Sequence, residues 1–332
     1  MRLFLALCWA FLALVRPAGA QDAVGDRVEP GIEENLRDQL RKLERWGLQQ
    51  LLSAERQVDR EQKRRARTSA NHEELALLAR DEDGGVRFFV ATNRHAPTPL
   101  LAQLANDAAV HVRSGVAMAL GHTTDAFEYR RPVEGLAATL SRDDQVLVRL
   151  MLAQNTGLGA QAYDSLALDP DFVVRLKLAQ NPRITATALA TLAGDVMPEV
   201  QIAALGHRAA PASLLGQHVG AGDALVRQAV AANPNASLAV INALSGDEDP
   251  GVRALVAEHP NADETLLDEL LADTDPAVLT ALARNPRASR AQLMHLAAMD
   301  DMDVRQAAEK HLEPLLRSEI REDILERWFT PQ

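Results

Sequence analysis

The chain has almost no cysteine, few aromatic residues and no apolar run long enough to cross a bilayer. Cys8 is the only cysteine among 332 residues, and it lies in the N-terminal segment 1–20, MRLFLALCWAFLALVRPAGA. If that segment is removed as a leader, the remaining protein has no disulfide and no cysteine-ligated metal. Phe, Trp and Tyr make up 4% of the composition, which favours helices over a β-sandwich.

Common catalytic and cofactor signatures are also missing. The sequence contains no G-x-S-x-G, no Walker-type loop, no glycine-rich dinucleotide turn and no H-E-x-x-H spacing. We therefore expect no catalytic residues, no cofactor and no metal. The net charge of −11 argues against binding to nucleic acid, because an acidic surface repels phosphate.

The N-terminal segment 1–20 is typical of a secretory signal peptide. Arg2 supplies the positive start, residues 3–15 form an apolar run, and Ala18-Gly19-Ala20 is a small-residue cleavage pattern. The apolar run 3–15 is too short to span a bilayer comfortably. We therefore expect a periplasmic or secreted protein with no stable membrane anchor after cleavage.

The dominant feature of the remaining sequence is an internal repeat with a constant period. Similar strings, VRFFVATN, VRLKLAQNP and VRALVAEHP, begin at Val86, Val174 and Val252. The repeat valines follow one another at intervals of 26 with one interval of 36: Val86, Val112, Val148, Val174, Val200, Val226, Val252, Val278 and Val304. A fixed period of this length is the signature of a repeat architecture.

Each repeat is expected to form two short helices. An Asp often lies three residues before the repeat valine, where its carboxylate can cap the first helix. An Arg one residue after the valine completes an i, i+4 pair, such as Asp83 with Arg87. The valine and the residue four later lie on one apolar face. The second helix begins at another capping residue: Asn71, Thr185, Ser237, Asp263 or Ser289.

An Asn or His ends the first helix, often before proline, as in Asn181-Pro182 and Asn285-Pro286. Capping explains this pairing, because Asn tolerates the left-handed conformation and proline cannot continue a helix. The alternative is an asparagine ladder that holds a peptide backbone. His207, His259 and His311 occupy the same repeat position, so they do not indicate a shared metal site.

The pattern L-A-x-D-x-D-x-x-V-R-x-x-V-A-x-N-P, over roughly residues 71–312, resembles the leucine-rich repeat variant (LRV) family of armadillo-like helical repeats. The 26-residue period departs from the shorter period usual in that family. The resemblance implies an all-α fold: a right-handed α-solenoid, an armadillo/HEAT-like superhelix, of about nine 26-residue two-helix repeats with helical caps. It says little about function.

The chain divides into a signal peptide (1–20), an N-terminal helical cap (21–70), solenoid repeats (71–312) and a C-terminal capping helix (313–332). The 36-residue interval places an insertion near residues 121–131. Insertions in repeat arrays map to loops and can mark a binding face, although a tolerated surface loop is the simpler interpretation. The candidate binding residues are His122, Asp125, Glu128, Tyr129 and Arg130.

The expected function is an exported, non-enzymatic interaction scaffold that binds a protein or peptide partner on the solenoid surface. The alternative is an enzyme or small-ligand-binding protein with its site at the 121–131 insertion. Alanine substitutions in the insertion distinguish the two, because a scaffold tolerates them and a ligand site does not.

Overall fold

The part of the chain that the structure describes is all-helical, as the composition predicts. A computed structural model describes residue 42, residues 60–120 and residues 130–329, with side chains at 42, 60–120 and 134–315. Within these ranges there are nineteen helices and no strand. The helices are α1 (Arg60–Thr68), α2 (His72–Leu78), α3 (Gly84–Ala91), α4 (Thr98–Leu104), α5 (Val110–Ala119), α6 (Arg130–Leu140), α7 (Val146–Ala153), α8 (Ala160–Leu166), α9 (Phe172–Ala179), α10 (Ala186–Ala193), α11 (Pro198–Leu205), α12 (Ala212–Gly216), α13 (Ala224–Ala231), α14 (Leu238–Leu244), α15 (Pro250–Glu258), α16 (Glu264–Leu270), α17 (Pro276–Arg284), α18 (Arg290–Ala297) and α19 (Met302–Phe329).

Odd-numbered helices are the first helices of the sequence repeat, and even-numbered helices are the second. The chain forms two compact units, Met1–Val200 and Gln201–Gln332. In the first unit, α1, α3, α5, α7 and α9 follow one another, each packed against the next. The second helices α4, α6, α8 and α10 pack in the same consecutive way.

The second unit has the same local arrangement. Its first helices α13, α15, α17 and α19 pack one against the next, and α14 packs against both α13 and α15. In each unit, therefore, a helix contacts its neighbours in the chain and the equivalent helix one period away. This pattern of contacts is consistent with a helical repeat.

The core is built from the positions that the period marks. All nine repeat valines, from Val86 to Val304, are completely buried. The residue four later is also completely buried in every case, for example Val90, Leu178 and Leu282. Helices of 7 to 10 residues, such as α2 and α5, are not stable alone in water. Burial of these two apolar positions against neighbouring helices is what holds them.

The predicted capping residues begin most of these helices. The carboxylates of six aspartates accept backbone N–H groups at the first-helix N-termini: Asp83, Asp171, Asp223, Asp249, Asp275 and Asp301. Asn71, Thr185, Asp263 and Ser289 do the same for second helices. Ser237 occupies the cap position of α14 but makes no side-chain cap hydrogen bond.

The last helix is longer than predicted. Helix α19 runs from Met302 to Phe329 without a break, so it begins in the last repeat and continues through the expected capping segment, with Pro314 inside it. None of the described helices is long and apolar enough to cross a membrane. The predicted signal peptide (1–20), and residues 21–59 of the predicted N-terminal cap other than residue 42, lie outside the described residues.

Candidate functional site

The repeat arginines form a ladder of ion pairs with the acidic turns. The Arg149 guanidinium donates from Nε and Nη2 to the two carboxylate oxygens of Asp169, at 2.6 and 3.1 Å. Its Nη1 donates to the Asp143 carbonyl at 2.7 Å. The Asp169 carboxylate also accepts the N–H of Asp171 at 2.8 Å. We call this arrangement an arginine clasp; it ties one first helix to the turns before and after it.

The clasp recurs along the chain in both units. The pairs are Arg87–Asp107, Arg113–Asp143, Arg149–Asp169, Arg175–Asp195, Arg227–Asp247 and Arg253–Asp273. Partners are 20 residues apart, except for Arg113 and Asp143, which are 30 apart because the insertion lies between them. Every pair is bidentate, a geometry that suits guanidinium and carboxylate. The arginine series is thus engaged internally and does not present a row of donors to an anionic ligand.

The arginine partners differ from those that the sequence suggested. The i, i+4 spacing predicts a pair between Asp83 and Arg87, but the guanidinium of Arg87 binds Asp107, with Nε–Oδ2 at 2.6 Å. Asp83 instead caps α3 through the N–H of Gly85 at 2.7 Å. The local spacing correctly identified Arg87 as a member of an ion pair, but the predicted partner was wrong. The acidic turn of the next repeat lies beside the helix in space and supplies the partner.

The clasps change the acidity of their carboxylates. Hydrogen bonds from Arg253 hold the pKa of Asp273 below its usual value. At Asp107, Asp195 and Asp247, burial raises the pKa, but hydrogen bonds from the arginine and a backbone N–H outweigh it and the pKa is lowered. At any pH where these carboxylates are ionised in the unfolded chain, they are therefore also ionised in the folded protein.

Acid is expected to weaken the clasps only below about pH 4. A carboxylate whose folded pKa is depressed contributes stability that is fully present above its unfolded pKa of about 3.9 and is lost as the pH falls through the folded value. The urea midpoint should fall between pH 5 and 3 as the clasp carboxylates become protonated. An Arg253→Leu/Asp273→Met variant should lose less between pH 5 and 3. A fall confined to pH 7 to 5 would contradict this account.

A second ladder joins the C-terminal ends of the first helices. The Asn285 amide, completely buried, donates to the carbonyls of Ala257 at 2.6 Å and His259 at 3.2 Å, one repeat earlier. Its carbonyl oxygen accepts the N–H of Arg287 at 2.8 Å. The same bonding to the preceding repeat occurs at Asn93, Asn155, Asn181 and Asn233.

Histidine replaces asparagine in this ladder. Nδ1 of buried His259 accepts the N–H of Asn261 at 3.0 Å, so Nε2 carries the hydrogen and donates to the Asn233 carbonyl at 3.0 Å. His311 Nδ1 lies 3.0 Å from the Ala283 carbonyl. A neutral imidazole thus supplies the acceptor and the donor that an amide supplies elsewhere.

These side chains are not helix caps of the predicted kind. Asn285 has φ −64° and ψ 125°, and His259 has φ −65° and ψ 133°, so both are extended and not left-handed. Their polar atoms are buried and bound to the backbone of this chain. The ladder therefore has no free amides for a peptide backbone.

A few buried polar side-chain atoms, in contrast, lack a hydrogen-bond partner. Among the described residues, four buried side-chain atoms have no hydrogen-bond partner, and three of them belong to Asp83, His111 and Ser114. The free oxygen of Asp83 faces the ammonium of Lys63 at 3.8 Å. We call Lys63, Asp83, His111 and Ser114 the α3/α5 polar cluster. Buried polar atoms without partners are costly and call for an explanation.

The imidazole of His111 lies against the start of α3. A Cβ added to Gly84 would be 2.8 Å from His111 Nε2, so glycine is needed there for the ring to fit. Burial lowers the pKa of His111, and the ring is neutral at pH 7. Ser114 lies three residues later on α5, yet its Oγ has no hydrogen-bond partner. The two side chains therefore do not form a nucleophile–base pair.

The sequence carries no clear signal for this cluster. The positions of His111 and Ser114 hold apolar residues in the next two repeats but polar residues in others, such as Glu199 and Gln228.

Replacing Ser114 by alanine is expected to leave stability unchanged or to raise it by up to about 1 kcal/mol, because an unpaired buried hydroxyl is removed. Ser141 is the matched control. Its Oγ bonds the Ala138 carbonyl at 3.0 Å and Ser165 Oγ at 3.2 Å, so Ser141→Ala should lose about 1 kcal/mol. Urea unfolding followed by circular dichroism measures both. Equal losses would show that Ser114 has a bound partner.

The predicted site residues of the insertion are not placed. His122, Asp125, Glu128 and Tyr129 lie outside the described residues, and Arg130 begins α6 with its side chain undescribed. In the part of the chain that is described, no three His, Cys, Asp or Glu side chains are grouped so as to hold a metal ion. Searches with known protein families and with curated proteins found no match to this chain.

Proposed function

We propose that this chain is an exported, non-enzymatic interaction scaffold that binds a protein or peptide partner. Its repeats would form a right-handed α-solenoid of about nine 26-residue units, and the protein would act in the periplasm or outside the cell. The proposal is supported by the contrast between the polar residues that recur in each repeat and the residues that do not.

The recurring polar residues are used internally. The clasp arginines and aspartates bind one another, and the ladder asparagines bind backbone carbonyls of the preceding repeat. These interactions stabilise the fold and leave no regular polar row for a ligand. A binding surface must therefore come from positions that the repeat leaves free to vary.

Such positions lie three and six residues after each repeat valine, and we call them the first-helix face. No two repeats carry the same pair there. The pairs are Phe89/Thr92, Gly115/Met118, Met151/Gln154, Lys177/Gln180, Ala203/Gly206, Ala229/Ala232, Leu255/Glu258, Ala281/Arg284 and Ala307/Lys310. The later residue of each pair is partly or fully exposed. A specific extended interface requires exposed residues that differ from repeat to repeat on a regular array of helices. This variation of the first-helix face is the observation that carries the proposal.

Partner capture with matched surface variants tests the proposal. Met118 and Met151 are partly exposed on adjacent helices α5 and α7, and methionines suit adaptable binding surfaces. Immobilised wild-type protein should recover a stoichiometric partner from its own compartment, and Met118→Glu/Met151→Glu should lose it. The control is Thr187→Glu/Ala190→Glu, on the exposed side of second helix α10, which should retain it.

The remaining outcomes identify the alternatives. Loss of the partner in His122→Ala/Tyr129→Ala, with retention in the methionine variant, would move the site to the insertion. Equal capture by all variants would overturn a specific surface. Export is tested separately by N-terminal sequencing of the protein made in its source cell, where Gln21 should be the first residue.

A further inference from the structure

In two repeats the arginine clasp is missing, because both the arginine and the aspartate are replaced by other residues. Gln201 and Ala221 occupy the positions of the arginine and its aspartate in one repeat, and Leu279 and Met299 occupy them in another. Because both members are replaced together, neither place keeps a buried charge without its partner. The bidentate ion pair of the other repeats is therefore impossible at both places.

The two replacements differ in what fills the space. Leu279 is 8% exposed and lies on α17, a helix of nine residues, so an apolar side chain is buried at the place of the arginine. Ala221 offers one methyl group, and both it and Gln201 are partly exposed. The second helix that follows Gln201 is α12, which has only five residues.

Glycine accumulates in the same stretch. Gly206, Gly216, Gly220 and Gly222 follow one another closely there. A Cβ would meet nothing within 4 Å at Gly220 or Gly222, and neither has the positive φ that demands glycine. Neither close packing nor a left-handed backbone therefore requires these two glycines, and they increase the entropy of the unfolded segment. We call residues 201–222 the glycine segment.

We infer that the glycine segment opens locally while the repeats that follow it in the second unit remain folded. Three independent features converge there: the missing clasp, the five-residue helix α12 and glycines that no contact requires. The segment should unfold locally more readily than its neighbours, since local stability follows the density of buried contacts and bonds.

Hydrogen exchange of the full-length chain, followed by mass spectrometry, tests this inference. Amides of the glycine segment should exchange at least about tenfold faster, after correction for intrinsic rates, than amides of residues 227–248, which hold the Arg227 clasp. Equal protection of the two stretches would overturn the inference.

Two variants test the cause. Gln201→Arg/Ala221→Asp restores the clasp residues and should slow exchange of the glycine segment by about tenfold; Leu279→Arg/Met299→Asp, at the other replacement, should leave that segment unchanged. Gly220→Ala/Gly222→Ala should slow the segment by about fivefold through chain entropy alone, and it decides the matter if the clasp variant does not fold. Exchange that neither folded variant slows would contradict the inference.

Discussion

Replacing Asp169 by methionine is expected to lower the free energy of unfolding by about 3 kcal/mol, because it leaves a buried guanidinium without its counter-ion. The Arg149 and Asp169 side chains are 8% and 1% exposed, which makes this the most deeply buried pair among the six clasps. Arg149→Leu should cost a similar amount, since the Asp169 carboxylate then keeps only the N–H of Asp171.

The chain itself supplies the compensating pair. Leucine and methionine stand at the two clasp positions in the repeat of Leu279 and Met299. The double variant Arg149→Leu/Asp169→Met copies that natural replacement and should be within about 1 kcal/mol of the wild type, because a well-packed apolar pair substitutes for a buried ion pair at little cost.

Urea unfolding of the four proteins, followed by helical circular dichroism, gives the coupling energy of the cycle. The expected coupling is about 4 kcal/mol or more in favour of the pair. A double variant as unstable as the two single losses combined would show that the clasp acts through each residue separately. Arg64→Leu is the control, because Arg64 pairs with Glu61 on the exposed side of α1 and should change stability by less than about 1 kcal/mol.

The sequence predicted the helices and the core because both depend on local pattern. Burial of every repeat valine follows from the 26-residue period, and the caps at Asp83 and Asp249 follow from a short polar side chain before an apolar helix. The caps depend on a few neighbouring residues, and the period only requires that the same local pattern recurs, so the contacts between repeats need not be known.

The contacts between repeats were harder to predict. The partner of Arg87 is 20 residues away, and a pattern confined to one helix does not reach it. The paired replacement at Gln201 and Ala221 contains this information, because two positions that change together within one chain are neighbours in space. Comparison of the repeats with one another, rather than with a helix template, would have found the correct partner.

The candidate site shows the same limitation in another form. Motif searching directed attention to the insertion, whose residues are chemically varied, and it passed over His111 and Ser114 because neither belongs to a known motif. Neither stands out within the repeat, because the same two positions hold polar residues elsewhere, such as Glu199 and Gln228. Their missing hydrogen bonds also depend on packing around α3 and α5, which the sequence does not specify.

Replacing Asn285 by alanine is expected to lower the free energy of unfolding by about 3 kcal/mol, and the loss should be located in the second unit. The change removes both amide donors and the acceptor at once, so the carbonyls of Ala257 and His259 and the N–H of Arg287 lose their bonds in a buried place. Urea unfolding of the full chain, with hydrogen exchange at residues 257–287 to localise the loss, measures the effect.

Histidine at the same position is the matched comparison. Because His259 fills the equivalent place one repeat earlier, bonding through both ring nitrogens, Asn285→His should keep the acceptor and one donor and cost less than about 1 kcal/mol. A loss equal to that of the alanine variant would mean that each repeat is tuned to its own residue. The expected difference would show that the ladder needs an acceptor and a donor at fixed places, and that amide and neutral imidazole are interchangeable means of providing them.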